Sequence, residues 1–171
     1  VLETGLQALA GFQPLAGRGQ TRTVAVPGGA FTLIDESYNA NPLSMTAGFK
    51  SLGARPTAGR RIVVLTDMLE LGDQSRALHE GLAQPIEAAG LDLVHAAGPE
   101  MRRLYDALPA SRRGLWRETA VELAAEASAL AEAGDIVMVK GSNGSRASLI
   151  ARALADLQTA SSSPDAPRAT R

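Results

Sequence analysis

Short contiguous apolar runs alternate with longer amphipathic stretches through most of the chain, a pattern that predicts a sheet crossed repeatedly by helices. Ile62-Val63-Val64-Leu65 and Ile136-Val137-Met138-Val139 are unbroken apolar runs, as expected of strands buried on both faces of a parallel sheet. They define central strands at Arg61–Leu65 and Asp135–Val139. Thr21–Val26 and Phe31–Ile34 flank Pro27-Gly28-Gly29, a turn signal that predicts a hairpin and so one antiparallel pair. Pro42–Leu52 reads as a helix opened by a first-turn proline, whose missing N–H costs nothing there. Further helices are expected at about Gln74–Ala89, Glu100–Leu108, Thr119–Ala133 and Ser145–Leu157, with shorter strands at Asp92–His95 and near Leu115-Trp116. Crossovers of this length imply an α/β, Rossmann-like, doubly wound fold. The sheet should hold about six mostly parallel strands, with one antiparallel edge strand and helices on both faces.

The two ends read differently. Leu2, Leu6, Leu9 and Ala10 have helical spacing, so residues 1–12 read as the end of a helix, followed by a connector broken at Gly11, Pro14, Gly17 and Gly19. Residues 159–171 contain Ser161-Ser162-Ser163-Pro164 and no apolar period, which predicts a frayed tail.

Composition narrows the chemistry. Seventeen basic against eighteen acidic residues give a formal charge of −1, so no positive field points to nucleic acid or an anionic membrane. With no cysteine among 171 residues, disulfides, cysteine-bound zinc, iron–sulfur clusters and thiol catalysis are excluded. No apolar run reaches the ~18 residues of a spanning helix. The start, Val1-Leu2-Glu3-Thr4, has neither an initiator Met nor a signal pattern and reads as a cut from a longer chain. Lys50 and Lys140 are the only lysines, which makes Lys140, at the end of a buried strand, conspicuous.

Ligand sites in open parallel sheets form beyond the strands' carboxyl ends. Three segments reach that rim with unusual polar content. Asp35-Glu36-Ser37-Tyr38-Asn39-Ala40-Asn41-Pro42 suits a ribose or a peptide, although Asn41 also fits a plain helix cap. Thr66-Asp67-Met68-Leu69-Glu70-Leu71-Gly72 places two carboxylates three apart, for a ligand, a Mg²⁺-bound water or simple complementarity to the next helix dipole. Val139-Lys140-Gly141-Ser142-Asn143-Gly144-Ser145-Arg146 suggests an anion cradle of backbone N–H groups and one ammonium. It is not a P-loop, whose G-x-x-x-x-G-K-[ST] order occurs nowhere in the chain. Arg18, between Gly17 and Gly19, can approach a ligand closely or serve as a linker arginine. His79 and His95 have no catalytic or metal-binding partner pattern and read as a helix-surface and a strand-end residue.

Taken in order, Gly17-Arg18, the Asp35 to Pro42 run, Asp67-Met68-Leu69-Glu70-Leu71-Gly72 and Lys140-Gly141-Ser142 resemble the C-terminal domain of the Mur ligases. The resemblance covers about residues 1–158, and Ser-Tyr-Asn-Ala-Asn-Pro is specific to the members that add D-alanyl-D-alanine to UDP-N-acetylmuramoyl-tripeptide. It implies that residues 1–20 end a preceding central domain and form the linker, that 21–158 are the C-terminal domain, and that a UDP-sugar domain and a P-loop ATPase domain precede them.

The implied reaction is an ATP- and Mg²⁺-dependent ligation in the bacterial cytoplasm, with the metal held mainly by the central domain. The tripeptide carboxylate becomes an acyl phosphate, the dipeptide amine attacks, and phosphate leaves. On this resemblance Arg18 and Lys140 are the catalytic candidates. Arg18, Asp35, Glu36 and Asp67 would bind the nucleotide, Glu36 standing where the family's ribose carboxylate is usually Asp. Tyr38, Asn39, Asn41 and Ser142 would hold the dipeptide or the closed state. Arg18, Asp35, Asp67 and Lys140 should then border one concavity. The alternatives are a folylpolyglutamate-type or cyanophycin-type ligase of the same superfamily, and a free-standing Rossmann-like nucleotide- or peptide-binding module.

Overall fold

A computed structural model describes residues 15–160. Six strands form one sheet in the order β1-β2-β6-β3-β4-β5. β1 (Gln20–Val26) and β2 (Gly29–Glu36) make the expected antiparallel hairpin, and all other pairings are parallel. β3 (Arg61–Thr66), β4 (Leu93–Ala97), β5 (Arg113–Arg117) and β6 (Ile136–Lys140) complete the sheet. Because β6 returns to the middle, it separates β2 from β3, and the loops after these three strands meet at one rim.

The period-two alternation of the strands divides the core in two. Val63, Leu65, Val94, Ala96 and Met138 face one side, where Met45, Phe49 and Leu52 of α1 (Pro42–Gly53) pack with residues of α2 (Ser75–Glu80), α3 (Ala83–Ala88) and α4 (Met101–Ala107). Ile62, Val64, Val137 and Val139 face the other side, against α5 (Ala120–Ala125) and α6 (Ala147–Ala160). At the opposite end of the sheet from the rim, buried Asp135 accepts from the Arg60 guanidinium at 2.7 Å and from the Arg60 and Glu132 backbone N–H groups, fixing the starts of β3 and β6.

Several elements differ from the sequence pattern, each for a local reason. The helix expected over Gln74–Ala89 is a 3₁₀ turn at Gly72–Gln74 followed by the separate helices α2 and α3. In one continuous helix the Pro85 ring would strike the Gly81 carbonyl, so the chain breaks there and Pro85 falls in the first turn of α3. The alanine-rich stretch expected to be helical over Thr119–Ala133 is helical only over Ala120–Ala125, with a 3₁₀ turn at Ala127–Ala129. Glu126 leaves helical geometry and forms an ion pair with Arg117. β2 runs two residues further than expected, so Asp35 and Glu36 belong to the strand and point to opposite faces. Residues 159 and 160, assigned to the tail, extend α6. The helix end expected over 1–12 and the rest of the tail lie outside the described residues. Among the described residues, no helix is long and apolar enough to cross a membrane.

Candidate functional site

The rim at the carboxyl ends of the parallel strands carries the candidate residues. It also carries the large exposed hydrophobic side chains Leu15, Tyr38, Leu43, Leu69 and Val121, a concentration that marks an interaction surface.

One hollow, of about 210 Å³, is lined by Arg18, Glu36, Tyr38, Asn39, Asn41 and Lys140. The turn carrying Arg18 is tacked to the end of β2, since Gly19 N–H donates to the Asp35 carbonyl and Tyr38 N–H to the Gly17 carbonyl. Gly17 has φ +75°, and a Cβ there would lie 3.0 Å from Tyr38 N, so glycine is needed at this crossing. The Arg18 guanidinium then lies 4.1 Å from the centroid of the Tyr38 ring, a cation–π contact that holds the exposed charge in place. Lys140, only 4% exposed, donates from Nζ to the Asn39 carbonyl at 3.0 Å. Burial pushes its pKa down and the nearby Glu36 carboxylate pushes it back up, with a net lowering. Two cations against one carboxylate suit a phosphate-bearing ligand with a hydroxyl-rich neighbour.

A second hollow, of about 370 Å³, opens between the ends of β3, β4, β5 and β6. Leu69, Ala97, Pro99 and Val121 give it apolar walls, with Asp67, Glu118 and Arg146 around them. Asp67 accepts from Met101 N–H at 2.8 Å and from Glu100 N–H at 3.4 Å, capping the start of α4. Its pKa is raised: burial pushes it up and those backbone donors offset part of the effect. Arg146 has left-handed backbone, φ 63°, a conformation that costs a non-glycine residue energy and recurs at functional sites.

The expectation of one concavity shared by Arg18, Asp35, Asp67 and Lys140 does not hold. Arg18 and Lys140 share the first hollow with Glu36. Asp67 lines the second. Asp35, on the opposite face of β2 from Glu36, lines a third, smaller hollow with Ser37, Tyr38, Asn143 and Arg152, and its Oδ1 accepts from Ser37 Oγ and N–H.

Other candidates serve the scaffold as well. Asn41 caps α1, accepting from Ser44 N–H at 2.8 Å while Ser44 Oγ accepts from Asn41 N–H. Asn39 Oδ1 accepts from Ala40 N–H. Ser142 is 7% exposed and hydrogen-bonded within the protein. The anion cradle expected at Lys140–Arg146 is also not formed as such. The amides of Ser142, Ser145 and Arg146 donate to the carbonyls of Asp67, Ser142 and Asn143, and the ammonium turns away to Asn39.

Both histidines are buried, so His79 is not a helix-surface residue, and His95 lies within β4, which continues to Ala97, and does not end it. His79 Nε2 accepts from Met68 N–H at 3.0 Å, and its Nδ1 donates to the Ser75 carbonyl at 2.7 Å, fixing the loop after β3. Sequence reasoning missed this role, along with Glu118 and Arg146 as lining residues. A histidine or arginine gives no sign in the sequence of a buried loop contact or a left-handed backbone. Among the described residues, no three His, Asp or Glu side chains gather in a way that could hold a metal ion.

Comparison with known proteins follows the same lines. The model of the family described as "Mur ligase, glutamate ligase domain" matches residues 17–143. UDP-N-acetylmuramoyl-tripeptide–D-alanyl-D-alanine ligase of Rickettsia prowazekii is 34% identical over 112 residues, covering 66% of this chain and 25% of that protein. The enzyme of that name from Escherichia coli is 40% identical over 91 residues, 48% of this chain and 20% of that protein. The one from Mycobacterium tuberculosis strain H37Rv is 34% identical over 155 residues, 77% of this chain and 30% of that protein. The chain therefore spans a fifth to under a third of the length of these relatives. The crystal structure of MurF ligase from Thermotoga maritima in complex with ADP shares the fold, at a TM-score of 0.70 and 23% identity, over 90% of this chain and 34% of that one.

Proposed function

The chain belongs to the Mur ligase family through its glutamate ligase domain, and from that premise we propose that it is the C-terminal domain of an ATP-dependent, ADP-forming ligase joining D-alanyl-D-alanine to UDP-N-acetylmuramoyl-tripeptide. In this reading residues 1–20 lead in from a preceding ATPase domain, and the working domain runs from residue 21 to the end of α6 at residue 160. The reaction belongs to peptidoglycan precursor synthesis in the bacterial cytoplasm, where nucleotide-linked substrates occur. The observation that carries the proposal is the pairing of two chemically different hollows on one rim.

The first hollow suits the nucleotide. Bound ATP supplies the phosphoryl group that activates the tripeptide carboxylate. Arg18 and Lys140 oppose the negative charge that spreads over the transferring group, at positions set by Tyr38 and the Asn39 carbonyl. Glu36 lies beside them to accept from ribose hydroxyls. Tyr38 forms one wall of this hollow, and Asp35 lies in the adjoining third hollow on the far side of that wall. Mg²⁺ is assigned mainly to the preceding domain.

The second hollow suits D-alanyl-D-alanine, a short zwitterion with two methyl groups. Arg146 takes the carboxylate, Glu118 and Asp67 face the ammonium, and Leu69, Val121 and Pro99 cover the methyls. The ammonium first gives a proton to one of these two side-chain carboxylates; the free amine then attacks the activated carbonyl, phosphate departs, and the remaining extra proton leaves the new amide nitrogen to water. Tyr38 and Asn39, exposed on the rim, meet the other domain on closure.

In the longer protein carrying this chain, ADP release should require both the tripeptide nucleotide and D-alanyl-D-alanine. Arg18→Ala should lower kcat by about 100-fold or more. Arg146→Ala should raise the dipeptide KM by about 10- to 100-fold with kcat nearly kept. ADP release that is indifferent to D-alanyl-D-alanine, or driven equally well by free glutamate, would refute the assignment.

A further inference from the structure

The chemistry proposed above needs two ligands held in adjacent hollows at a fixed separation, because a misplacement of about 1 Å between reacting groups can cost about 100-fold in rate. The two hollows are built from different loops. The loop after β2 supplies Tyr38, Asn39 and Asn41 to the first, while the loop after β3 supplies Asp67 and Leu69 to the second. The two strands are not directly hydrogen-bonded to each other, since β6 lies between β2 and β3. Something beyond the sheet must set the distance between the loops.

Ser142, just past the end of β6, touches both. Its Oγ accepts from Leu69 N–H at 3.0 Å and donates to the Ala40 carbonyl at 3.4 Å. Its own N–H donates to the Asp67 carbonyl at 3.4 Å. Its carbonyl accepts from Ser145 N–H and from Ser145 Oγ at 2.6 Å, and Ser145 Oγ is also 2.6 Å from Thr66 Oγ1. One small side chain thus ties the loops of β2 and β3 to the turn after β6. Gly141 makes the approach possible, since a Cβ there would overlap the Thr66 hydroxyl.

We propose that Ser142 is a positioning residue that sets the separation between the nucleotide hollow and the dipeptide hollow and transmits ordering from one to the other. It touches no ligand. This rests on the assignment of the two hollows made above. Removing the hydroxyl leaves both sets of lining side chains intact but frees Leu69 N–H and the Ala40 carbonyl, so each ligand still binds while their alignment is lost. The resulting defect belongs in kcat, not in either KM.

The experiment uses the longer protein that carries this chain, as wild type and as Ser142→Ala. Ser142→Ala should lower kcat by about 10- to 100-fold, with the KM values for ATP and D-alanyl-D-alanine within about threefold of wild type. Hydrogen exchange read by mass spectrometry gives a second measure. ADP alone should slow exchange over residues 67–71 in the wild type, and Ser142→Ala should abolish that effect while keeping the slowing over 38–41. An unchanged kcat, or a raised dipeptide KM at intact kcat, overturns the proposal, the latter because Ser142 would then be a ligand contact. If the variant does not fold, a wild-type protein in which ADP leaves 67–71 unaffected overturns it equally. A wild-type protein that does not turn over with D-alanyl-D-alanine overturns the underlying assignment instead, and is distinguished by its failure before any substitution is made.

Discussion

Acid should unfold this protein partly through a single histidine. His95 lies in β4, 3% exposed, opposite an irregularity where the register with β5 shifts between Val94 and Ala96. There its Nδ1 replaces a backbone acceptor and takes the Leu115 N–H at 2.9 Å. Gly114 makes room, since a Cβ at that position would lie 2.5 Å from Nδ1. The ring must stay neutral to accept this bond, and Nε2 has no hydrogen-bond partner among the described residues. Burial accordingly lowers the pKa from 6.5 to about 4. In the unfolded chain the imidazole takes up its proton near pH 6.5, so between there and pH 4 the unfolded state binds more protons and acid favours it. The neutral form contributes its full stabilisation above pH 6.5. About 2 kcal/mol of it is lost by pH 5, and ~3 kcal/mol once pH falls through 4. With only two histidines in the chain, a carbon–proton correlation NMR titration resolves them, and His95→Gln assigns the signal. Urea denaturation at pH 7 and pH 5 should show the wild type losing about 2 kcal/mol more than the variant. A His95 signal that titrates at or above pH 6, or equal losses in the two proteins, would refute the reasoning.

Other consequences follow from particular contacts. Gly17→Ala forces a side chain into left-handed backbone against Tyr38 N and should cost about 1–2 kcal/mol in urea denaturation. Asn41→Ala removes the α1 cap and should cost about 1 kcal/mol, whereas Asn41→Asp, which keeps the acceptor, should be near neutral. Asp135→Ala strips a buried acceptor from Arg60 and Glu132 and should cost about 3 kcal/mol, read from the denaturation midpoint.

Much of this architecture was legible because its signals are local. The apolar runs at Ile62–Leu65 and Ile136–Val139, the Pro27-Gly28-Gly29 turn and Pro42 each act within a few residues, and those elements lie where the pattern puts them. The break at Gly81 was readable in principle from Pro85, whose clash is also local. What escaped was decided by contacts distant in sequence. Whether Asp35 and Glu36 share a pocket depends on how far β2 continues its pairing with β6. The work of Ser142 depends on Ala40 and Leu69, which are 102 and 73 residues away along the chain but adjacent to it at the rim. Arg146 lines the second hollow because a turn places it there in a conformation its side chain does not announce. Polar residues after strands could be located as a group, but not divided among hollows.

The most direct test of the two-hollow account is a crystal structure of the longer protein with ADP and D-alanyl-D-alanine bound. The account predicts the nucleotide on the Arg18, Glu36 and Lys140 side and the dipeptide between Leu69 and Val121, its carboxylate within hydrogen-bond distance of Arg146. A dipeptide seated against Arg18 and Tyr38, or a nucleotide lying against Arg146, would contradict it.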